Sequence, residues 1–174
     1  QTFHALALSC RDYKFENNEL RYINIALKSS RKSSELRFNI MVSKAEYLYN
    51  NKKYKSSKIL YKKIIVNNGN QWHTKNLYNY GWTQFKTHKF DNAINSLEKA
   101  FILSKDSRYI DFSEQVINSL ITFYITNKEI KRAVAFILKH DKEEATSSLL
   151  KLARKASKKG FYLETNNIIS LLNS

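Results

Sequence analysis

The 174-residue sequence predicts an all-α chain of about ten antiparallel helices. Three observations carry that expectation. Proline is absent and there are only three glycines, Gly69, Gly81 and Gly160, whereas β-rich and α/β chains draw on both for their turns and phosphate loops. Apolar residues recur with a helical period along almost the whole chain. One pattern also returns five times: a long apolar-periodic stretch, a polar turn, a bulky residue, and a small or apolar residue three positions later.

The periodicity places helices over 2–15, 18–31, 34–50, 53–67, 71–86, 89–104, 108–126, 129–140, 143–158 and 161–173. Asn18, Ser33 or Ser34, Asn70 and Asp106 are candidate N-caps, because their side-chain oxygens can accept from the unpaired N–H groups of a first turn. Aligning the turns on Leu20, Tyr54, Phe90, Ile130 and Tyr162 gives spacings of 34, 36, 40 and 32 residues. The longest spacing puts an extended connection or longer helices near 105–111. The segment around Trp82 shows the pattern best, with Gly81 in its first helix and Ala93 twelve positions on, followed by Leu97 and Ala100. Ala45 and Ser57, Ile121 and Ala133, and Ala153 and Thr165 take the same two places. The first segment matches least well, with Arg11 and Ile23 assigned there. Small residues at these points let two helix axes approach closely.

This spacing and pattern resemble the tetratricopeptide repeat, a helix–turn–helix unit of about 34 residues. The resemblance implies a right-handed α-solenoid forming one domain over 1–174, with repeats at about 4–37, 38–73, 74–113, 114–145 and 146–174. The family's helix-ending proline is missing throughout, and Gly69 alone stands in for it. A start at Gln1 leads to the expectation that the chain is a fragment of a longer protein. Ile168, Ile169, Leu171 and Leu172 on the last helix add that further repeats, a partner or an end-to-end copy covers that face.

Several function classes are excluded or disfavoured. The single Cys10 excludes an intramolecular disulfide and a zinc cluster, and it reads as a small core-facing residue of the first helix. The run Phe3–Cys10 lacks the basic lead of a lipoprotein signal. His4, His73, His88 and His140 are dispersed over different repeats, with no HExxH and no phosphate-binding loop. His140 sits at a packing position. No catalytic activity, metal or cofactor is therefore expected. No apolar run is long enough for membrane insertion, so a soluble domain is expected.

The net charge of +15 invites a nucleic-acid or acidic partner. Lys outnumbers Arg by 23 to 7 and Asn, Ile and Tyr are abundant, so AT-rich coding bias supplies part of that charge. The densest basic run, Lys52, Lys53, Lys55, Lys58, Lys62 and Lys63, falls on a turn and a second helix. It reads as a solvated face; the sharper alternatives are a patch for an acidic protein, RNA or anionic lipid. RNA-reading helical repeats carry a polar column that recurs in each unit. None is present here, so nucleic acid is disfavoured.

The resemblance further implies that the first helix of each repeat lines a concave groove. The first two repeats contribute Ala5, Leu8, Ser9, Asp12, Phe15 and Glu16, then Asn39, Val42, Ser43, Glu46, Tyr49 and Asn50. The middle contributes Lys75, Tyr78, Asn79, Trp82, Phe85 and Lys86, then Gln115, Asn118, Ser119, Thr122, Ile125 and Thr126. The last contributes Ser147, Leu150, Lys151, Arg154, Ser157 and Lys158. The groove is expected to be acidic at its start and basic at its end, with an aromatic middle. The carboxylate clamp of chaperone-binding members is missing: Asn79 holds one of its positions, but Val42, Glu46, Gln115 and Ser119 occupy others. The expected function is a protein–protein interaction scaffold that takes a partner segment, possibly acidic, on Tyr49, Tyr78, Asn79, Trp82, Phe85, Lys151, Arg154 and Lys158. Tyr49 and Phe85 have packing between paired helices as the alternative. A structural spacer in a large bacterial secretion or flagellar assembly, and a basic nucleic-acid-associated repeat protein, are the other readings.

Overall fold

The computed structural model describes residues 2–31, 35–67 and 69–173, and among them are ten α-helices, one 3-10 turn and no strand. The helices are α1 Thr2–Asp12, α2 Glu16–Ser29, α3 Glu35–Asn50, α4 Tyr54–Ile64, α5 His73–Lys86, α6 Phe90–Ser104, α7 Ser113–Thr126, α8 Ile130–His140, α9 Ala145–Ser157 and α10 Tyr162–Leu172. The chain divides into two compact units, Gln1–Asn68 and Gly69–Ser174. The division falls between α4 and α5.

Every expected helix is present. The largest boundary difference is at α7, which begins at Ser113 rather than 108. Residues 105–112 form a connection instead, because local side chains close turns there. Asp106 Oδ1 accepts from the Arg108 N–H at 3.0 Å, and Asp111 Oδ1 accepts from the Ser113 N–H at 2.8 Å. The connection is tied back to α5, where the Thr74 hydroxyl donates to the Ile110 carbonyl at 2.8 Å. Of the expected N-caps, Asp106 closes this turn rather than a helix. Asn70 accepts from the Trp72 N–H at 2.8 Å, one turn ahead of α5. Asn18 lies inside α2. Ser33 and Ser34 lie outside the described residues.

Among the described residues five are left-handed: Lys14, Lys52, His88 and Lys128, with φ between 57° and 60°, and Gly160 with φ 84°. Each stands two residues before the second helix of its pair. The N–H that follows each one reaches back to the preceding helix: Phe15 to Cys10, Lys53 to Leu48, Lys89 to Gln84, Glu129 to Tyr124 and Phe161 to Ala156, at 2.8–3.1 Å. This is the helix-ending arrangement that satisfies last-turn carbonyls and reverses the chain. It is used five times, with glycine in only one of them.

These turns correct the repeat register. They are 38, 36, 40 and 32 residues apart, so the turn of the first repeat falls four residues earlier than the alignment on Leu20 places it. The first-helix column then reads Ala7, Ala45, Gly81, Ile121 and Ala153, all buried. The second-helix column reads Glu19, Ser57, Ala93, Ala133 and Thr165, also all buried. Glu19 hides the pattern, because a carboxylate occupies the place of a small residue. Neighbouring Leu20 imitates the bulky turn residue.

The column of small residues has a direct steric reason at Gly81. A Cβ there would stand 2.1 Å from Leu97 Cδ1 and 3.3 Å from the Ala93 carbonyl oxygen. In the first unit the Ser57 hydroxyl donates to the Ala45 carbonyl at 2.8 Å, joining α4 to α3 at the same place. Ala7, Ile23, Ala26, Ile40 and Tyr47 form the core of that unit. In the second unit Leu97, Val116, Leu120, Ile121, Phe123 and Ile137 are wholly buried.

A polar bracket spans α6, α7 and α8. Glu98 accepts from the Tyr124 hydroxyl at 2.5 Å and from Arg132 Nε and Nη2 at 2.9 and 2.8 Å. Burial, reinforced by Glu98, pushes the Tyr124 phenol far above its ordinary range. It therefore remains a donor at any working pH.

Two stability changes follow from this geometry. Lys128→Gly relieves a left-handed backbone strain worth about 1 kcal/mol and is expected to raise the urea-unfolding midpoint. Gly81→Val overpacks the α5–α6 contact and is expected to cost roughly 1–3 kcal/mol in the same measurement.

Candidate partner-binding groove

The candidate surface is built on α5, α7 and α9, the first helices of the third, fourth and fifth repeats. Aromatic side chains join α5 to α7. Trp82 stands edge-on to Phe123 with ring centroids 4.8 Å apart, and Phe85 stacks flat on Phe123 at 4.0 Å with an interplanar angle of 9°. Tyr78 meets Trp82 at 6.4 Å and Phe112 at 5.2 Å. Phe123 is buried, whereas Tyr78, Trp82 and Phe85 are each half-exposed. The Tyr78 hydroxyl pairs with Ser119 Oγ at 3.1 Å, and Lys86 Nζ lies 5.8 Å from the Trp82 ring centre. The row is thus held by the buried ring of Phe123 and by Phe112, and stays partly accessible to solvent.

Phe85 also contacts Phe90, the first residue of α6, at 5.2 Å. It packs between the paired helices as well as beside the surface. Tyr49 behaves the same way in the first unit, edge-on to Tyr54 at 5.2 Å. Trp82 is likewise part of the packing, so truncating it removes a structural contact as well as an exposed one. Asn79 is half-buried on α5, next to Tyr78.

The basic residues are set apart from the aromatic row by α7. Arg154 is exposed on α9, and Lys158 is exposed just past its end. Lys151 instead borders a polar cavity of about 350 Å3, together with Lys105, Glu114, Asp141, Glu144 and Ser147. Lys155, which the groove pattern did not single out, crosses to α7, donating to Thr122 Oγ1 at 3.1 Å and to the Asn118 carbonyl at 3.4 Å. The α9 surface is therefore basic, while Lys151 lies among carboxylates.

In the corrected register His4, Ala5, Leu8, Arg11 and Asp12 take the groove-pattern positions of the first repeat. His4 Nε2 pairs with Ser43 Oγ at 2.9 Å, the same repeat-to-repeat contact that Tyr78 makes with Ser119. Arg11 donates to Glu19 Oε1 and Glu46 Oε2, both at 2.8 Å, and to the Ser43 carbonyl at 3.0 Å. The expected acidic start loses Glu46 to this pair. Burial opposes the charge on Arg11, but hydrogen bonds and attraction to Glu19 and Glu46 prevail and raise its pKa. Cys10 is half-buried rather than in the core, and Phe3, Leu6 and Leu8 of α1 are exposed, leaving Ala7 as the buried residue of that helix. His140 packs its ring on Phe136 at 4.9 Å.

Among the described residues no group of three or more His, Cys, Asp or Glu is placed to hold a metal ion. No described helix is long and apolar enough to cross a membrane.

Paired helices, recurrent small residues and a first-helix surface together define a tetratricopeptide-like α-solenoid. Solved structures share it. A candidate kinesin light chain from Podosopora anserina, built of nearly identical TPR-like repeats, matches with a TM-score of 0.72 at 13% identity, over 99% of this chain and 92% of its own. A tetratricopeptide repeat protein from Parabacteroides merdae matches with a TM-score of 0.70 at 13% identity, over 98% of this chain and 64% of its own. BtubC (BKLC) from P. vanneervenii matches with a TM-score of 0.66 at 14% identity, over 98% of this chain and 77% of its own. At such identities the likeness is one of fold. No family model matches the sequence, and no curated protein sequence matches it.

The His4–Arg11 pair makes the N-terminal unit sensitive to pH. Burial, then repulsion from Arg11, holds the His4 imidazole below its ordinary value of 6.5. The unfolded chain takes up this proton more readily than the folded one. Stability is therefore expected to be full above pH 6.5 and to fall as the pH drops through the folded pKa. An NMR titration of His4 should show a midpoint below 6.5, and Arg11→Gln should move it back toward that value.

Proposed function

We propose that this chain is a protein-interaction scaffold that docks a segment of another protein along α5, α7 and α9. The observation that carries this reading is the row Tyr78, Trp82 and Phe85. It presents large, half-exposed rings that Phe123 and Phe112 already hold in place. Rigid Tyr and Trp side chains lose little entropy on binding and are enriched among the residues that dominate interface energies. Asn79 offers an amide beside them. Arg154 on α9 and Lys158 at its C-terminal end favour an acidic stretch in the same partner, and the charge acts mostly on encounter rate and orientation. Tyr49 and Lys151 contribute less, since one packs on Tyr54 and the other lies beside Glu114, Asp141 and Glu144.

The test is capture from native lysate on the immobilised chain, at two salt concentrations and with nuclease in a parallel sample. A discrete protein is expected to survive nuclease. Trp82→Ala should weaken its binding by about 2 kcal/mol, roughly thirtyfold. Because Trp82 also supports Phe123, Arg154→Glu with Lys158→Glu provides a second, exposed variant. It should reduce capture without moving the unfolding midpoint. Charge reversal at Lys58 and Lys62 should leave this partner bound. Undiminished capture by both groove variants, or nucleic acid alone in the eluate, would refute the reading.

A further inference from the structure

The outer face of α4, in the N-terminal unit, carries a different signal. Tyr54, Ser57, Tyr61 and Ile64 point one side of this helix toward α3, with Ser57, Tyr61 and Ile64 buried. Lys55, Ile59 and Lys62 follow one another at helical spacing on the opposite side and are all exposed. Lys63 flanks this stripe, Lys52 and Lys53 lead into it, and Val66 follows it just past the helix end. Ile59 is 59% exposed and Val66 79%.

Between residues 51 and 67 there are six lysines and no arginine, aspartate or glutamate. Of the acids on the adjoining α3, Glu46 is paired with Arg11 at 2.8 Å, and Glu35 stands in the first turn. The face is therefore strongly cationic with aliphatic side chains set among the charges.

We propose that this face adsorbs the domain to an anionic lipid surface. Three features favour lipid over the other polyanions. Lysine is a compact charge suited to a diffuse anionic surface, whereas arginine's planar fork suits individual phosphates. No aromatic ring is exposed along the stripe: Tyr54 is half-buried on Tyr49 and Tyr61 is buried. A single-stranded nucleic acid would thus find no stacking platform. Ile59 and Val66 stand proud among the lysines, where the headgroup boundary of a bilayer gives them an apolar environment. Attachment is peripheral.

The test is co-sedimentation of the full chain with phosphatidylcholine vesicles, with and without phosphatidylserine, at low and high salt. Binding is expected only with phosphatidylserine and should be lost at high salt. Each lysine near an anionic surface contributes about fivefold. Lys55→Gln, Lys62→Gln and Lys63→Gln together should therefore weaken binding by about a hundredfold, and the corresponding three Glu substitutions together by more. Arg154→Glu, Lys158→Glu and Lys159→Glu together should change it far less. Ile59→Ser should weaken it severalfold with the same salt dependence. No binding to phosphatidylserine vesicles, equal loss from both triple Glu variants, or indifference to Ile59→Ser would overturn the proposal. So would displacement from the vesicles by single-stranded RNA that binds through the same lysines.

Discussion

The fold depends on how closely the two helices of a pair can approach. Each pair has at least one alanine or glycine at the two crossing positions: Ala7, Ala45, Gly81, Ala93, Ala133 and Ala153 supply it in turn. At α5 and α6 the requirement is most severe, since the space a side chain would need at Gly81 is filled by Leu97. Close approach brings long apolar side chains from both helices into one layer, and dense packing of that layer contributes most of the stability. A helix–turn–helix unit held this way still has an uncovered apolar face. It is stable only when another unit stacks on it.

The polar contacts that tie successive repeats are placed where that stacking leaves room. In the N-terminal unit Arg11 takes both Glu19 and Glu46, and His4 takes Ser43. In the C-terminal unit Glu98 gathers Tyr124 and Arg132. Glu19 and Tyr124 are buried, so losing a partner would strand a polar group away from water. That cost fixes the register of one repeat on the next more sharply than apolar contact alone, which tolerates sliding.

The packing also sorts the exposed surface into separate regions. Phe123 is drawn into the core and holds Trp82 and Phe85 against itself, which leaves a rigid aromatic row on α5. The α9 face is cationic, and so is the outer face of α4. Around α4 the lysines are mixed with exposed Ile59 and Val66, while the α9 cations lie across α7 from the aromatic row. Distinct chemistry on distinct helices lets one small repeat fold present more than one kind of surface. The net charge of +15 is thus not spread evenly along the chain.

The sequence by itself determined the class of fold, the number of helices and nearly all of their limits. Helical periodicity and the lack of proline are local properties, and five-fold recurrence amplifies a weak local signal. It also determined the aromatic row, because Tyr78, Trp82 and Phe85 are close in sequence and share one helix face. Only the tertiary structure decided the register of the first repeat. Glu19 there replaces a small residue, and what makes it tolerable is Arg11, eight residues away in the paired helix. Only the structure, likewise, showed that Glu46 is neutralised, that Lys155 crosses to α7, and that Lys151 lies among carboxylates. Each of these depends on which side chains from different helices meet. Such meetings are set by packing between repeats, which no local pattern records.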